Sequence, residues 1–290
     1  MARDASIVTV TLNICHCAHC DLSVNPVATA IHSSGARVVG LQEVDCGLER
    51  SGHVCQPAAL ALQLARLTGE AWAYEFAPAA YPAYGNAVVF AVGAVGPDPV
   101  GSLRWTLPGD PTSDVSAYRE TRSALGVELR GAARALGLPG PLLFVTTHLG
   151  FGRTALAQLA ALLAGLEGPA ARGPGASVIL CGDFNTYDRA LSKSRDGDKD
   201  ADYAELVELL ASHGFADAGP HGTVFTFPVG PHRHPARKID YVFVRGPVQV
   251  LLLAHEIRIV DGSKFTDHHG LRHAWGRAPT GAAAGETASG

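Results

Sequence analysis

Short apolar runs recur along this chain, and nearly every one stops on a polar or ionisable residue. Residues 6–13 (SIVTVTLN) close on Asn13, 37–43 (RVVGLQE) on Gln42 and Glu43, and 141–148 (PLLFVTTH) on His148. Residues 176–183 end on Asp183 with Asn185 just beyond, and the run from 239 to 244 carries Asp240 at its start. Thr266, Asp267 and His268 precede a last apolar stretch at 271–275. Each run is brief, aliphatic and bounded by Gly, Pro or polar positions, the signature of a buried strand. A helical period appears instead at 56–67, 154–166 and 202–213. Strands alternating with such helices predict a layered α/β fold. We read one domain over 1–276, without linker or internal repeat. The Pro-, Gly- and Asp-rich segment 96–121 has no period and reads as a long loop near the rim of a site, where substrate choice is often made.

Strand ends on one rim of a sheet are neighbours in space even when far apart in sequence. A buried carboxylate costs several kcal/mol unless a cation, a proton or a hydrogen-bond donor compensates it. One Asp or Asn after a strand is usually a turn former or a helix cap, and a lone His there is usually structural. Turn formers, however, need not be charged or imidazole-bearing at so many ends. Together these residues predict a pocket lined by Asn, Glu, His and Asp. Its oxygen-rich donors suit a hard cation, Mg²⁺ or Mn²⁺, better than zinc.

The ordered set TLNI (11–14), LQEVD (41–45), ERSG (49–52), YGNAVVF (84–90), ETRSAL (120–125), TTHL (146–149), GDFN (182–185), RKIDYVFV (237–244) and TDHHGL (266–271) resembles the endonuclease/exonuclease/phosphatase superfamily. GDFN and DHH at this separation are its specific motifs. The resemblance runs from about residue 6 to 275. It implies a four-layer α/β sandwich of the DNase I-like kind, two mixed sheets face to face with helices outside, and one metal-dependent phosphoesterase site. Carried over, Glu43 is the principal metal ligand, with Asn13 and Asp267 close to the same ion or its water. Asp183 orients or deprotonates the attacking water, and Asn185 donates to the phosphoryl oxygens. His268 is held by Asp240, and His148 donates to the phosphate from the opposite side, supported by Asn86. Arg122 and Arg119 neutralise phosphate oxygens. The chain departs from the family pattern in three places. Thr266 stands where Ser is commoner, Thr121 where Pro is usual, and Arg153 lies two positions earlier than the Arg expected before Gln158.

With 290 residues, 47% of them hydrophobic and 17% charged, the chain has the composition of an ordinary soluble enzyme. It is long enough for one sizeable core without staples. A net charge of −4 provides no global field to gather polyanions, which weighs mildly against a non-specific nuclease. His232, Arg233 and His234, with Arg237 and Lys238, form a local basic patch whose other reading is a solvated loop. No apolar run reaches the length of a membrane span and no secretory signal precedes the first strand, so a cytoplasmic protein without a stable protein partner is expected. The Ala/Gly-rich stretch 277–290 reads as a disordered tail.

Two clusters stand outside this scheme. Cys15, His16, Cys17, His19 and Cys20 directly follow Asn13. Their density suits Zn²⁺, but their spacing fits no familiar finger, and a tight loop of small polar residues is the alternative. Asp196, Asp198 and Asp200 are spaced as in a calcium loop, yet the Gly and Glu of such a loop are missing. A solvated loop before the 202–213 helix is the better reading. Cys46 and Cys55 flank a loop and could pair if oxidised, although a cytoplasm would keep them reduced, while Cys181 reads as core packing. Function is therefore expected to be Mg²⁺-dependent phosphoester hydrolysis. Nucleic acid is the leading substrate, with a lipid head group or sugar phosphate, as in sphingomyelinases and inositol phosphatases, as the rival. A catalytically silent binding module of the same fold is the alternative from another class.

Overall fold

A computed structural model describes residues 6–79, 82–96, 101–109, 120–168, 171, 173, 175–187, 203–219, 226–227, 237–250, 259–262 and 266–277. Arg119, the acidic run at 195–202, His232, Arg233 and His234, and the tail from 278 lie outside them.

Two sheets carry the fold. The first holds β1 (Ile7–Asn13), β2 (Val38–Asp45), β3 (Trp72–Pro78) and β4 (Tyr84–Ala91). Later in the chain it gains β11 (Val248–Val250), β12 (Ile259–Val260) and β13 (Gly270–Arg277). Its order is β11-β13-β1-β2-β4-β3, with β12 also paired to β13. The second sheet runs β5 (Ser102–Leu107), β6 (Arg122–Glu128), β7 (Leu142–His148), β8 (Ser177–Asp183), β10 (Asp240–Arg245) and β9 (Ala216–Asp217). Parallel pairing joins β1 to β2 and β7 to β8, and the remaining pairs are antiparallel, so both sheets are mixed.

Helices α1 (Asn25–Ser34) and α2 (Gln56–Thr68) cover the outer face of the first sheet. The short helices α3 (Val92–Val95) and α4 (Arg130–Ala135) pack on each other. Helices α5 (Gly152–Gly165) and α6 (Tyr203–Ser212) cover the second sheet. The result is the four-layer sandwich. α2, α5 and α6 fall within two residues of the helices expected from periodicity. α1 lacks so plain a period, but Pro26 in its first turn and Gly35 just past its end bracket it, as helix termini favour. The supposed loop 96–121 contains β5. Leu103, Trp105 and Leu107 alternate there, a strand period hidden by the Pro and Gly around it. The stretch read as tail gives its first residue, Arg277, to β13.

Alternation of side chains along a strand explains where the site lies. In β7, Phe144 faces the other sheet, then Thr146, then His148. In β8 the same face runs Ile179, Cys181, Asp183, and in β10 it runs from Val242 to Asp240. β1 contributes Thr11 and Asn13, and β2 contributes Gly40 and Gln42. The inter-sheet face is thus apolar at one end and polar at the other. Gln42 Nε2 ties the polar end together, donating to Thr11 Oγ1 (3.1 Å) and across the sandwich to Thr146 Oγ1 (2.7 Å).

A further inter-sheet residue, His273 of β13, is buried and stacks on Trp275. Its Nε2 lies 3.0 Å from the Gly219 carbonyl, and its Nδ1 is buried without a hydrogen-bond partner. Burial lowers its pKa from the ordinary 6.5 to about 4. Between those values the unfolded chain takes up a proton that the folded chain refuses, so this residue makes folding less favourable as pH falls. Urea unfolding should lose roughly 3 kcal/mol from this group between pH 7 and pH 4. His273→Gln should flatten that part of the profile, and an equally steep profile in the variant would count against the assignment.

Candidate active site

The polar rim opens into a cavity of about 380 Å³, and Glu43, Asp267, Asp183, His268, His148, Asn185 and Arg122 all line it. Strand register places several of them. His148, Asp183 and Asp240 lie side by side on β7, β8 and β10. Glu43 sits at a bulge, where the β2–β4 pairing shifts between Leu41 and Val44, and has a φ of 55°. A bulge re-aims a side chain, and here it turns Glu43 to the rim. Gly182, just before Asp183, has a φ of 143°, and a Cβ there would lie 1.9 Å from the Thr147 carbonyl oxygen. Only glycine allows β7 and β8 to approach this closely.

Asp183 is the centre of the network. Asn13 Nδ2 donates to its Oδ2 at 3.1 Å and to Glu43 Oε1 at 2.9 Å, so one amide bridges the carboxylates of both sheets. Asn13 Oδ1 accepts the Cys15 backbone N–H at 3.0 Å, which fixes the amide's orientation. Asn13 therefore braces its neighbours with its nitrogen turned to them. The Asn185 backbone N–H donates to Asp183 Oδ1 at 2.9 Å. His148 Nε2 and His268 Nε2 stand 3.6 and 3.7 Å from Oδ2. Burial, and then the Asp240 charge, push the Asp183 carboxyl above the usual carboxylate range, while His268 and the amide donors pull it back.

The two imidazoles are in opposite states. His268 Nδ1 lies 2.9 Å from Asp240 Oδ2, and Asp240 is fully buried behind it. Burial alone would neutralise the ring, but Asp240, with Asp183 and Asp267, overrides it and raises the pKa to about 10. His148 is held neutral. Burial, then Arg122 and His268, lower its pKa well below 6.5. Its Nε2 accepts from Asn185 Nδ2 at 3.0 Å, which leaves the ring proton on Nδ1, 3.4 Å from Arg122 Nη1. Asn185 also donates to the Leu149 carbonyl, so both of its amide hydrogens are engaged. Gln158 steadies this loop, accepting the Gly150 N–H at 2.7 Å and donating to the Pro108 carbonyl at 2.8 Å.

Asn86 does not join them. It donates to the Ser123 carbonyl and hydroxyl, linking β4 to β6 away from the cavity. Among the described residues no hydrogen bond joins it to His148; its partner Ser123 is the neighbour of Arg122. Cys46 and Cys55 form a disulfide, contrary to the expectation of free thiols, because an antiparallel bridge sets them face to face. The loop they close carries Arg50, which clamps buried Asp45 through two hydrogen bonds and lies over the Tyr84 ring.

Thr226, Phe227, Phe151 and Tyr187 belong to none of the sequence motifs. Thr226 Oγ1 accepts the backbone N–H groups of Ile239 and Asp240, each at 3.0 Å, and its carbonyl accepts the His269 N–H at 2.6 Å. It therefore locks Asp240 to the segment bearing His268. The Phe227 ring packs edge-on against His268 at 5.2 Å. Phe151, Tyr187 and Tyr84 add aromatic walls to the cavity, and Arg237 lies over Tyr187. Thr266 keeps the hydroxyl of the commoner Ser and uses it, donating to the Asn13 carbonyl at 2.8 Å.

Glu43 and Asp267 fit a hard divalent cation. Both carboxylates reach the cavity, and among the described residues no lysine or arginine makes an ion pair with either. Such oxygen donors are the usual ligands of Mg²⁺.

Over residues 10–268 the sequence matches the model of the endonuclease/exonuclease/phosphatase family, and the chain belongs to that family. Family membership makes it a phosphoester hydrolase by class. Among solved structures, one similar fold is an endonuclease/exonuclease/phosphatase from Beutenbergia cavernae DSM 12333. It is 21% identical with a TM-score of 0.65, over 95% of this chain and 72% of that one. ANGEL2, described as a 2',3'-cyclic phosphatase, is 16% identical with a TM-score of 0.61, over 94% and 96% of the two chains. D. rerio TDP2, solved with a single-strand DNA product, is 16% identical with a TM-score of 0.54, over 94% and 99%. No curated protein matches the sequence significantly.

Replacing Thr226 by Val leaves two buried N–H donors unpaired, at about 1–3 kcal/mol each. Thr226→Val should therefore lower the unfolding free energy by about 2–6 kcal/mol, and Thr226→Ser should recover most of it. Equal stability of the Val variant in urea would remove this residue from the network.

Proposed function

We propose that this protein is a Mg²⁺-dependent phosphodiesterase acting on nucleic acid, with Glu43 and Asp267 holding the ion. The observation that carries this reading is the convergence of Glu43, Asp183 and His268 on one cavity. When bound, the ion supplies Lewis-acid polarisation of a phosphoryl oxygen. The protein's own groups do the rest. Asp183 lies in the cavity wall with two imidazoles beside it, and orients the attacking water and takes its proton. The Asp240-held imidazolium of His268 presents its Nε2–H to charge building on phosphorus-bound oxygens. Arg122 neutralises another such oxygen through its planar fork. His148, neutral and accepting at Nε2, positions Asn185. Contact between Asn185 and a phosphoryl oxygen exchanges its bond to His148.

The aromatic wall favours nucleic acid over a sugar phosphate. Phe151, Tyr187, Phe227 and Tyr84 line the cavity together with Arg122 and Arg237, and aromatic rings beside basic groups are the combination on which single-stranded nucleotides stack. TDP2, solved with a DNA product, and ANGEL2, described as a 2',3'-cyclic phosphatase, have the same fold and are in keeping with this choice. The net charge of −4 places recognition in the cavity rather than in a long-range field.

Purified protein with Mg²⁺ should hydrolyse bis-p-nitrophenyl phosphate and single-stranded oligonucleotides, and EDTA should abolish turnover until Mg²⁺ or Mn²⁺ is restored. His268→Ala and Asp183→Asn should each lower kcat by about 10²–10⁴ with an unchanged circular dichroism spectrum. Near-normal turnover in a folded His268→Ala variant would overturn the assigned role. Release of choline phosphate from sphingomyelin without oligonucleotide cleavage would move the substrate to lipid. No turnover of any phosphoester with any divalent ion would leave a binding module.

A further inference from the structure

The loop after β1 carries Cys15, His16 and His19, none of which the proposed reaction uses. Its backbone is sharply turned, with φ of 44° at Cys15, 42° at His16 and 60° at Cys17. The turn is built in. Asn13 Oδ1 holds the Cys15 N–H, and Gln56 Nε2 donates to the His16 carbonyl at 2.7 Å. Side-chain donors are thereby gathered beside the two carboxylates. The ligand atoms of Cys15, His16 and Glu43 lie within 4.8 Å of one another, as do those of Cys15, His19 and Asp267.

The thiol and one imidazole nitrogen of this group are uncommitted. Among the described residues no hydrogen bond reaches Cys15 Sγ, and His16 Nδ1 is buried without a partner. A loop that merely satisfied itself would not leave a thiol and an imidazole nitrogen uncommitted beside two carboxylates. Sulfur, imidazole and carboxylate together are a donor set for Zn²⁺ or Co²⁺, not for Mg²⁺.

We propose that Cys15 anchors a transition-metal site, completed by a loop imidazole and by Glu43 or Asp267, which binds Zn²⁺ beside the catalytic carboxylates. Because both triads share Cys15, the site takes one ion at a time. That ion claims a carboxylate that the Mg²⁺ reading also needs, so Zn²⁺ at this site suppresses Mg²⁺-supported turnover. This consequence rests on the reading above, whereas the binding itself does not.

The test is a Co²⁺ titration of the full chain with its disulfide intact, read by the thiolate-to-cobalt charge-transfer absorption, and Zn²⁺ affinity by competition with a chromogenic chelator. One Co²⁺ per chain should give the band. Cys15→Ser should abolish it and weaken Zn²⁺ by at least about tenfold, since even outer-shell partners of a metal are worth that much. Cys20→Ser should retain both. A band that survives in Cys15→Ser, or no band in the wild type, overturns the proposal. In the hydrolysis assay, Cys15→Ser should keep its Mg²⁺-supported rate and need at least about tenfold more Zn²⁺ for half-inhibition. Equal Zn²⁺ sensitivity in both proteins overturns the regulatory consequence. Cys15-dependent binding in a protein that hydrolyses nothing would refute the phosphodiesterase reading and leave the metal site standing.

Discussion

Two carboxylates, Asp183 and Asp240, are buried on adjacent strands, and the organisation of the site follows from what it takes to keep them there. Like charges this close in a dry interior repel, so donors and a cation must be supplied from elsewhere in the chain. His268 comes from the loop before β13 and sits against both. The Asn13 amide comes from β1, in the opposite sheet. Thr226 supplies a hydroxyl that fixes the Asp240 backbone. These partners come from three distant segments of the sequence, so the charged centre forms only when both sheets are assembled around it. Fold and site are here one structural problem.

Compensation also sets the two histidines apart. An imidazole facing a buried carboxylate stays charged; one facing an arginine and an amide stays neutral. The same side chain thus serves as a cationic group at 268 and as a spacer at 148. Each tunes the other's surroundings through Asp183, which stands between their Nε2 atoms. A cavity that sets an imidazolium and arginines beside partly exposed carboxylates suits a divalent ion and a phosphoester together.

Much of this was legible in the sequence because strand period and chemistry coincide. Phe144, Thr146 and His148, or Ile179, Cys181 and Asp183, follow one face of a strand from core to rim, and a polar residue ending an apolar run marks that rim directly. The family motifs supplied the pairing of distant runs, which no local pattern contains. What stayed hidden depends on contacts between segments. Asn86 sits in a motif, yet its partner is Ser123 on the opposite sheet. Thr226 lies in no periodic run, and its value arises from the two N–H groups that the fold brings to it. β5 was obscured because its alternation is short and flanked by turn residues. The pairing of Cys46 with Cys55 depends on a bridge geometry invisible in spacing alone.

The bulge at Glu43 has one more effect. Val39 and Leu41 pack outward beneath α1 and α2, and so does Val44, although an uninterrupted strand would send it inward. The extra residue is thus a phase break, with even-numbered positions inward before it and odd-numbered ones after it. Deleting Glu43 would restore plain alternation with Leu41 and Val44 still outward, so the helices above the strand would keep their contacts. The bulge therefore adds a rim carboxylate to the strand without disturbing the apolar frame on either side of it.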